Sequence, residues 1–413
     1  MDSALSTNYT SSWKVLLRNP NLRKMFCAYF ISFTGTAMAP IAMAFGVLEL
    51  TDSTHDTAFV IAAPTFASIL VLLLGGVVAD RVSRKKVIIL AESLSMLVQL
   101  IIAALFLTGY ANLLNMIILM LINGIAIAFN APASSGFITQ LVDKKDLQAT
   151  NALLGMARNS AVIIGAALGG LLVSIVGIGW TIFIDAISFG FSALLVFSIL
   201  PNAQQKSAPS SLLNELIFGW KEFISHKWIW VIVLQFAFVV SGIEALMGLI
   251  GPSIAKDYLN GASDWGLIAG AVGFGTLLGG LVAFKLKVKY PMRLGTICVL
   301  FFSLIPIAMA LSLSLYWILL AAVMAGLGMQ IFGVIWFTTL QIKIPATMLS
   351  RVCAYDHIGS ICLAPLGIVF SGFLYEALGA QWVLLLISGI IIIPTLLTLI
   401  VKQVWTMKSE DLN

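Results

Sequence analysis

Apolar stretches recur twelve times along this chain, each near the ~20 residues a helix needs to cross a bilayer core of about 30 Å. They fall at 25–48, 58–79, 87–107, 113–132, 151–176, 180–200, 229–252, 265–284, 294–312, 316–340, 352–375 and 382–402. Inside a bilayer every backbone N–H and C=O must be satisfied within the protein, so a spanning chain is either helical or a closed barrel. Barrel strands read as short alternating segments, and these stretches are long and continuous. The sequence therefore specifies an all-α membrane protein. With 60% hydrophobic and 10% charged residues, it is no soluble globular domain.

An even number of spans puts both termini on one side. Of the 23 Lys and Arg, all but Lys256 and Arg158 fall on the side of the termini. Positive charge holds short loops in the cytoplasm, which predicts cytoplasmic termini. Basic residues scattered over short loops give no nucleic-acid surface. The first twenty residues hold no apolar run, so no cleavable signal peptide is expected. Cys27, Cys298, Cys353 and Cys362 all lie in apolar segments, and no disulfide framework is expected.

Two alignments within the chain indicate a tandem repeat. Gly75-Gly76-Val77-Val78-Ala79 matches Gly279-Gly280-Leu281-Val282-Ala283, and Ala166-Ala167-Leu168-Gly169 matches Ala364-Pro365-Leu366-Gly367. They pair the second span with the eighth and the fifth with the eleventh. Two six-helix bundles follow, at 1–200 and 229–413, the pattern of transporters built from repeats. The join, 201–228, carries Leu212, Leu213, Leu216, Ile217, Trp220, Phe223 and Ile224 at helical spacing. That pattern suits an amphipathic helix on the cytoplasmic membrane surface.

Between the second and third spans, Asp80-Arg81-Val82-Ser83-Arg84-Lys85-Lys86 concentrates charge in a chain that has little of it. Arg and Lys alone would serve topology. Asp80 would not, so the hairpin reads as a gate. This segment resembles the loop signature of the major facilitator superfamily, Gly-x-x-x-Asp-Arg-x-Gly-Arg-Arg/Lys, at Gly76, Asp80, Arg81, Arg84 and Lys85. Ser83 replaces the second glycine. The resemblance covers nearly the whole chain. It is nearest the bacterial macrolide-efflux and enterobactin-exporter branch at Asn151-Ala152-Leu153-Leu154, Asp185-Ala186-Ile187-Ser188-Phe189, Trp265-Gly266 and Ser350-Arg351-Val352-Cys353-Ala354-Tyr355-Asp356. Two departures stand out. The antiporter pattern of the fifth helix is kept only at Gly165, Gly169 and Gly170, with Ala161 and Ala166 at its other glycine and its proline. Relatives often carry an acid in the first helix, where this chain has Gly35-Thr36.

The resemblance implies the major facilitator fold, with a cavity lined by helices 1, 4, 7 and 10. A charge at membrane depth is expensive and needs a partner or a task. Glu244, on the seventh helix, is the candidate for taking up a proton or binding a cationic substrate; a solvated vestibule residue is the alternative. Asn123, Asn130, Gln235, Gln330 and Trp336 are substrate-cavity candidates, although such residues also join helices to one another. Asp185 reads as structural, Glu92 as a partner of the basic hairpin, and Glu49 and Glu376 as solvated helix ends. Arg158 and Asp356 occupy equivalent positions of the two repeats. With Gly76, Asp80, Arg81, Arg84, Lys85 and Arg351 they form a gating set. The alternative for Asp356 is a pairing with Arg81 or Arg84.

There is no nucleotide-binding glycine loop, no His or carboxylate cluster at metal-ligand spacing, and no nucleophilic triad. Neither a cofactor, a metal nor an enzymatic activity is expected. The expectation is a monomeric exporter of the bacterial inner membrane, surrounded by lipid. It would move amphipathic or hydrophobic small molecules such as a drug or siderophore, by alternating access with proton influx. A lipid or metabolite carrier without proton coupling, or a receptor or scaffold that has lost transport, are the alternatives.

Overall fold

The computed structural model describes residues 16–81, 83–143, 146–200, 220–286 and 288–408, the side chains of 72–81, 148, 149, 152, 284, 285, 346, 347 and 350 excepted. Twelve helices are long and apolar enough to cross a membrane, and the described residues include no strand. They are α1 (Pro20–Thr51), α2 (Thr54–Arg81), α3 (Arg84–Thr108), α4 (Leu113–Ile138), α5 (Leu147–Val176), α6 (Ile178–Phe197), α7 (Lys227–Tyr258), α8 (Ala262–Lys285), α9 (Pro291–Ala310), α10 (Leu315–Lys343), α11 and α12 (Ala380–Ile400). Helix α11 comprises Ala346–Ile361 and Ala364–Leu378, broken at Cys362 and Leu363. A short α13 follows at Lys402–Thr406.

Each span of the sequence reading has its helix, and most of the helices are longer than their apolar cores, Ile178–Phe197 and Ala380–Ile400 being the exceptions. Helix α1 starts five residues earlier than its hydropathy because Asn19 caps it. The Asn19 side chain accepts from the backbone N–H of Asn21 (3.0 Å) and Leu22 (3.1 Å), ahead of Pro20 at the first helical position. Helix α7 continues past residue 252 through a π-helical turn, Leu246–Ile250, to Tyr258.

The described residues form two compact units, one of residues up to Asp52 and from Ala63 to 200, the other of Ser53–Ala62 and 220–408. Ser53 and the first nine residues of α2 thus group with the C-terminal helices, a division the linear boundaries 1–200 and 229–413 do not contain. In unit 1, α1 packs on α5 and α6, and α3 on α4 and α6. Gly165 and Gly169 let α5 close on α1: a methyl at Gly165 would meet the Thr34 carbonyl, and one at Gly169 would meet Met38. What survives of the fifth-helix glycine pattern is therefore a contact surface for α1. In unit 2, α10 packs on α8 and α9, and α7 on α11 and α12. The end of the join docks there. Phe223 is buried, and Trp220 and Phe223 lie against Tyr355 of α11. Residues 201–219 lie outside the described residues.

The repeat is also visible in the backbone. The α5–α6 junction turns at Gly177 (φ 85°, ψ 173°), and the α11–α12 junction turns at Gly379 (φ 81°, ψ 168°). Only glycine adopts that region without strain. Nothing lies near the Cβ position of either residue. Gly379→Ala should therefore lower stability through the backbone alone, by about 1–3 kcal/mol. Thermal unfolding of the purified protein in detergent measures this, and an unchanged midpoint would remove the argument.

Candidate functional site

A chain of buried polar side chains runs through unit 1. Ser134 donates to Asn130 Oδ1 (2.6 Å), Asn130 Nδ2 donates to Glu92 Oε1 (2.8 Å), and Ser32 donates to Glu92 Oε2 (3.2 Å). Beside it, Gln99 Nε2 donates to Asp185 Oδ2 (2.8 Å). Both Glu92 and Asp185 are buried, and among the described residues their hydrogen-bond donors are neutral. The network ties α1, α3, α4 and α6 together.

Among the described residues, Glu92 has no partner in the basic hairpin. It lies eight residues into α3 from Arg84, roughly 12 Å along the axis at about 1.5 Å per residue. The described basic side chains reach elsewhere. Arg84 Nη1 donates to the Gly136 carbonyl (2.7 Å) and Lys85 Nζ to the Ile199 carbonyl (2.8 Å), pinning the start of α3 to the end of α4 and the segment after α6. The side chains of Gly76, Asp80 and Arg81 lie outside the described residues.

Gly35 explains why α1 carries no acid there. A Cβ on Gly35 would lie 2.5 Å from Asp185 Oδ1 and 2.9 Å from Ser188 Cβ. The carboxylate at this level of the bundle comes from α6, and the bare backbone of α1 makes room for it.

The remaining candidates fall into three settings. Asn123 is buried, its Oδ1 without a hydrogen bond among the described residues. Gln235 is buried and donates to Thr395 Oγ1 (3.0 Å), its own Oε1 unsatisfied among the described residues. Gln330 is half-buried beside Gly279 of α8. Trp336 is buried, packs on Trp228 and Phe332, and donates to Asp356 Oδ2 (3.0 Å). Arg158 lies over the Phe33 ring at 5.1 Å. Arg351 Nη1 is 3.5 Å from Met348 Sδ. Arg158 and Asp356 thus each have a partner within their own unit.

Glu244 differs from Glu92, Asp185 and Asp356. It is exposed, and among the described residues it has no hydrogen-bond or ion-pair partner. It also immediately precedes the last α-helical residue, Ala245, before the π-turn of α7. Such turns insert a residue into a helix and are frequent at functional sites. Beyond the turn, a Cβ on Gly251 would overlap the buried ring of Trp265 on α8, so the second half of α7 is wedged against α8.

Glu376 is not a free helix end either. Its Oε1 accepts from Ser53 Oγ (2.7 Å) and from the His55 backbone N–H (2.9 Å), both at the start of α2. Ser53, three residues before Asp56, has the spacing of a helix N-cap, and its Oγ accepts from the Asp56 N–H (3.1 Å). The sequence contains that signal, but nothing in it points to a partner acid 323 residues away.

Twelve spanning helices, two repeats with the same glycine turn, and charge concentrated in one hairpin define a multi-pass membrane transporter. A family model described as transmembrane secretion effector matches residues 10–413. The chain belongs to that family, within the major facilitator superfamily. It is similar to the enterobactin exporter EntS of Escherichia coli O1:K1 / APEC, with 24% identity over 412 residues, covering 93% of this chain and 94% of that one. Solved structures share the fold. A bacterial homologue of the human lysosomal transporter Spinster, inward-facing and unoccupied, aligns at TM-score 0.73 and 15% identity over 92% of this chain and 95% of that one. A POT family transporter in complex with 5-aminolevulinic acid aligns at 0.74 and 12% identity over 92% and 96%.

Proposed function

We propose that this protein is a secondary exporter of the bacterial inner membrane that moves amphipathic or hydrophobic small molecules of the siderophore or drug kind, by alternating access coupled to proton influx. The observation that carries the reading is the similarity to an enterobactin exporter over 93% of this chain and 94% of that one, a share that reaches into both repeats. The excess of Lys and Arg on one side supports cytoplasmic termini. The protein acts as a monomer within lipid and needs no cofactor. Glu244 is the proposed carrier of the coupling proton or of a cationic substrate group, because, unlike Glu92, Asp185 and Asp356, it is engaged by no described neighbour and, unlike Glu49, it does not lie in the last turn of its helix. Asn123, with an unspent acceptor, and the half-buried Gln330 remain proposed substrate contacts. Gly76, Asp80, Arg81, Arg84, Lys85 and Arg351, with Arg158 and Asp356, are the proposed gate on the cytoplasmic side.

The test compares ethidium and enterobactin efflux in cells with and without the protein, before and after an uncoupler. Protein-dependent efflux that the uncoupler abolishes is expected. Equal accumulation of both compounds in the two strains would remove the exporter reading. Protein-dependent efflux that survives the uncoupler would remove proton coupling alone. Asp80→Asn should slow the efflux without lowering the amount of protein in the membrane; a wild-type rate would reduce the hairpin to a topology signal.

A further inference from the structure

Arg158 stands on α5 seven residues, about two turns, before Gly165, so it shares the side of that helix that closes on α1. Its guanidinium lies over the Phe33 ring of α1 at 5.1 Å. Phe33 is eight residues into the apolar stretch 25–48, roughly 12 Å along the axis. The side chain of Arg158 therefore reaches a ring at membrane depth and does not turn back to the surface, as long basic side chains near a helix end do. Tyr29, one turn earlier on α1, meets Phe33 edge to face at 5.3 Å and lies within electrostatic reach of Arg158. Arg158 is exposed, and Tyr29 and Phe33 are half-buried. Among the described residues no carboxylate pairs with Arg158 and no oxygen accepts from it.

A ring under an exposed cation returns less than a charge at membrane depth costs. The repeat shows the other solution. Asp356, the residue of α11 aligned with Arg158, has both oxygens taken within its own unit, by Trp336 Nε1 (3.0 Å) and by the Ser360 hydroxyl (3.5 Å). The deep acids of unit 1 do not turn to Arg158, since Ser32 and Asn130 fill Glu92 and Gln99 fills Asp185. We infer that Arg158, with Phe33 and Tyr29, is a binding site for the anionic group, a carboxylate or phenolate, of an amphipathic aromatic substrate. A guanidinium is planar, and its N–H donors form a fork that matches the two oxygens of one carboxylate. Phe33 covers one face of that plane and fixes its direction, while the edge carries the donors to a ligand. An anion there supplies the acceptor that Arg158 lacks, a task besides its proposed part in the gate. The inference rests on the exporter reading and specifies the charge of the substrate group that unit 1 holds.

Two dyes built on the same xanthene rings, anionic fluorescein and cationic rhodamine 123, separate recognition of charge from general fit. Fluorescence anisotropy with the purified full chain in detergent measures the affinity of each. The wild-type protein should bind fluorescein saturably. Arg158→Gln keeps a polar side chain and removes the charge. It should lower the ratio of fluorescein to rhodamine affinity ~10-fold, the scale of a lost hydrogen bond to a charged group. Arg158→Lys should recover part of that loss, because the charge stays while the fork and the stacking go. Phe33→Leu removes the ring under the guanidinium and should lower the ratio by about 2–5-fold; it serves if the glutamine variant is not produced. A ratio that neither variant changes, whether both affinities hold or both fall together, overturns the inference. So does the absence of saturable fluorescein binding by the wild-type protein. Binding needs neither a gradient nor efflux, so this result is separate from whether cells export ethidium or enterobactin.

Discussion

Gly35→Ala should destabilise the N-terminal unit by about 1–3 kcal/mol, the usual cost of extra atoms in a packed core. The new methyl would collide with Ser188 and with the Asp185 carboxylate, and neither has slack. Asp185 is fully buried and receives Gln99, while the Ser188 hydroxyl donates to the Asp185 carbonyl (2.8 Å). Relief must come from separating α1 and α6, which also strains the Ser32–Glu92 contact. Thermal unfolding in detergent should show a lower midpoint for Gly35→Ala. Ser188→Ala removes one colliding atom, so the double variant should recover part of the loss. Contacting residues typically show coupling of 0.5–3 kcal/mol. Strictly additive midpoint changes would mean that the methyl is accommodated elsewhere and that Gly35 is not what admits Asp185.

The helices were legible in the sequence because a bilayer imposes one rule over twelve segments, and their number and order needed no tertiary information. The helix ends were less so. Asn19 extends α1 beyond its apolar core, and the π-turn carries α7 to Tyr258. Both depend on local hydrogen bonds that hydropathy does not weigh. Side-chain partners were legible only where the pairing is local. Ser53 as a cap lies within one turn of its helix. Glu92 sits close in sequence to a basic cluster, yet its donors come from α1 and α4, because depth along the helix and not sequence distance decides what a buried acid can reach. The division of α2 after Ala62 was invisible for the same reason. It follows from Gly372, Phe373 and Glu376, whose meaning depends on which helix lies across from them.

Glu244→Gln should bring gradient-driven efflux down to the level of cells lacking the protein. The spanning acids Glu92, Asp185 and Asp356 are each engaged by a neutral donor, from Ser32 and Asn130, from Gln99, or from Trp336. An acid whose oxygens are already filled must break a contact before it can exchange a proton or meet a substrate cation. Glu244 has no such contact among the described residues, and an isolated ionisable group at membrane depth is costly to retain without a task. Its place just ahead of the π-turn gives it a local means of moving. Reverting one π-turn to α-helical hydrogen bonding rotates the residues on either side relative to each other, and Gly251 anchors the far side against Trp265. Glutamine keeps the size and polarity of the side chain and removes only the titrating group. The variant should therefore still bind ethidium with near wild-type affinity while failing to export it under a proton gradient, and Glu244→Asp should keep part of the activity. Measuring binding by fluorescence anisotropy and efflux in proteoliposomes with an imposed pH gradient separates the two effects. If the glutamine variant loses binding as well, Glu244 holds the substrate cation rather than the proton. If it exports at the wild-type rate, Glu244 has neither role, and the coupling must pass to an acid that is already hydrogen-bonded, Asp185 or Asp356.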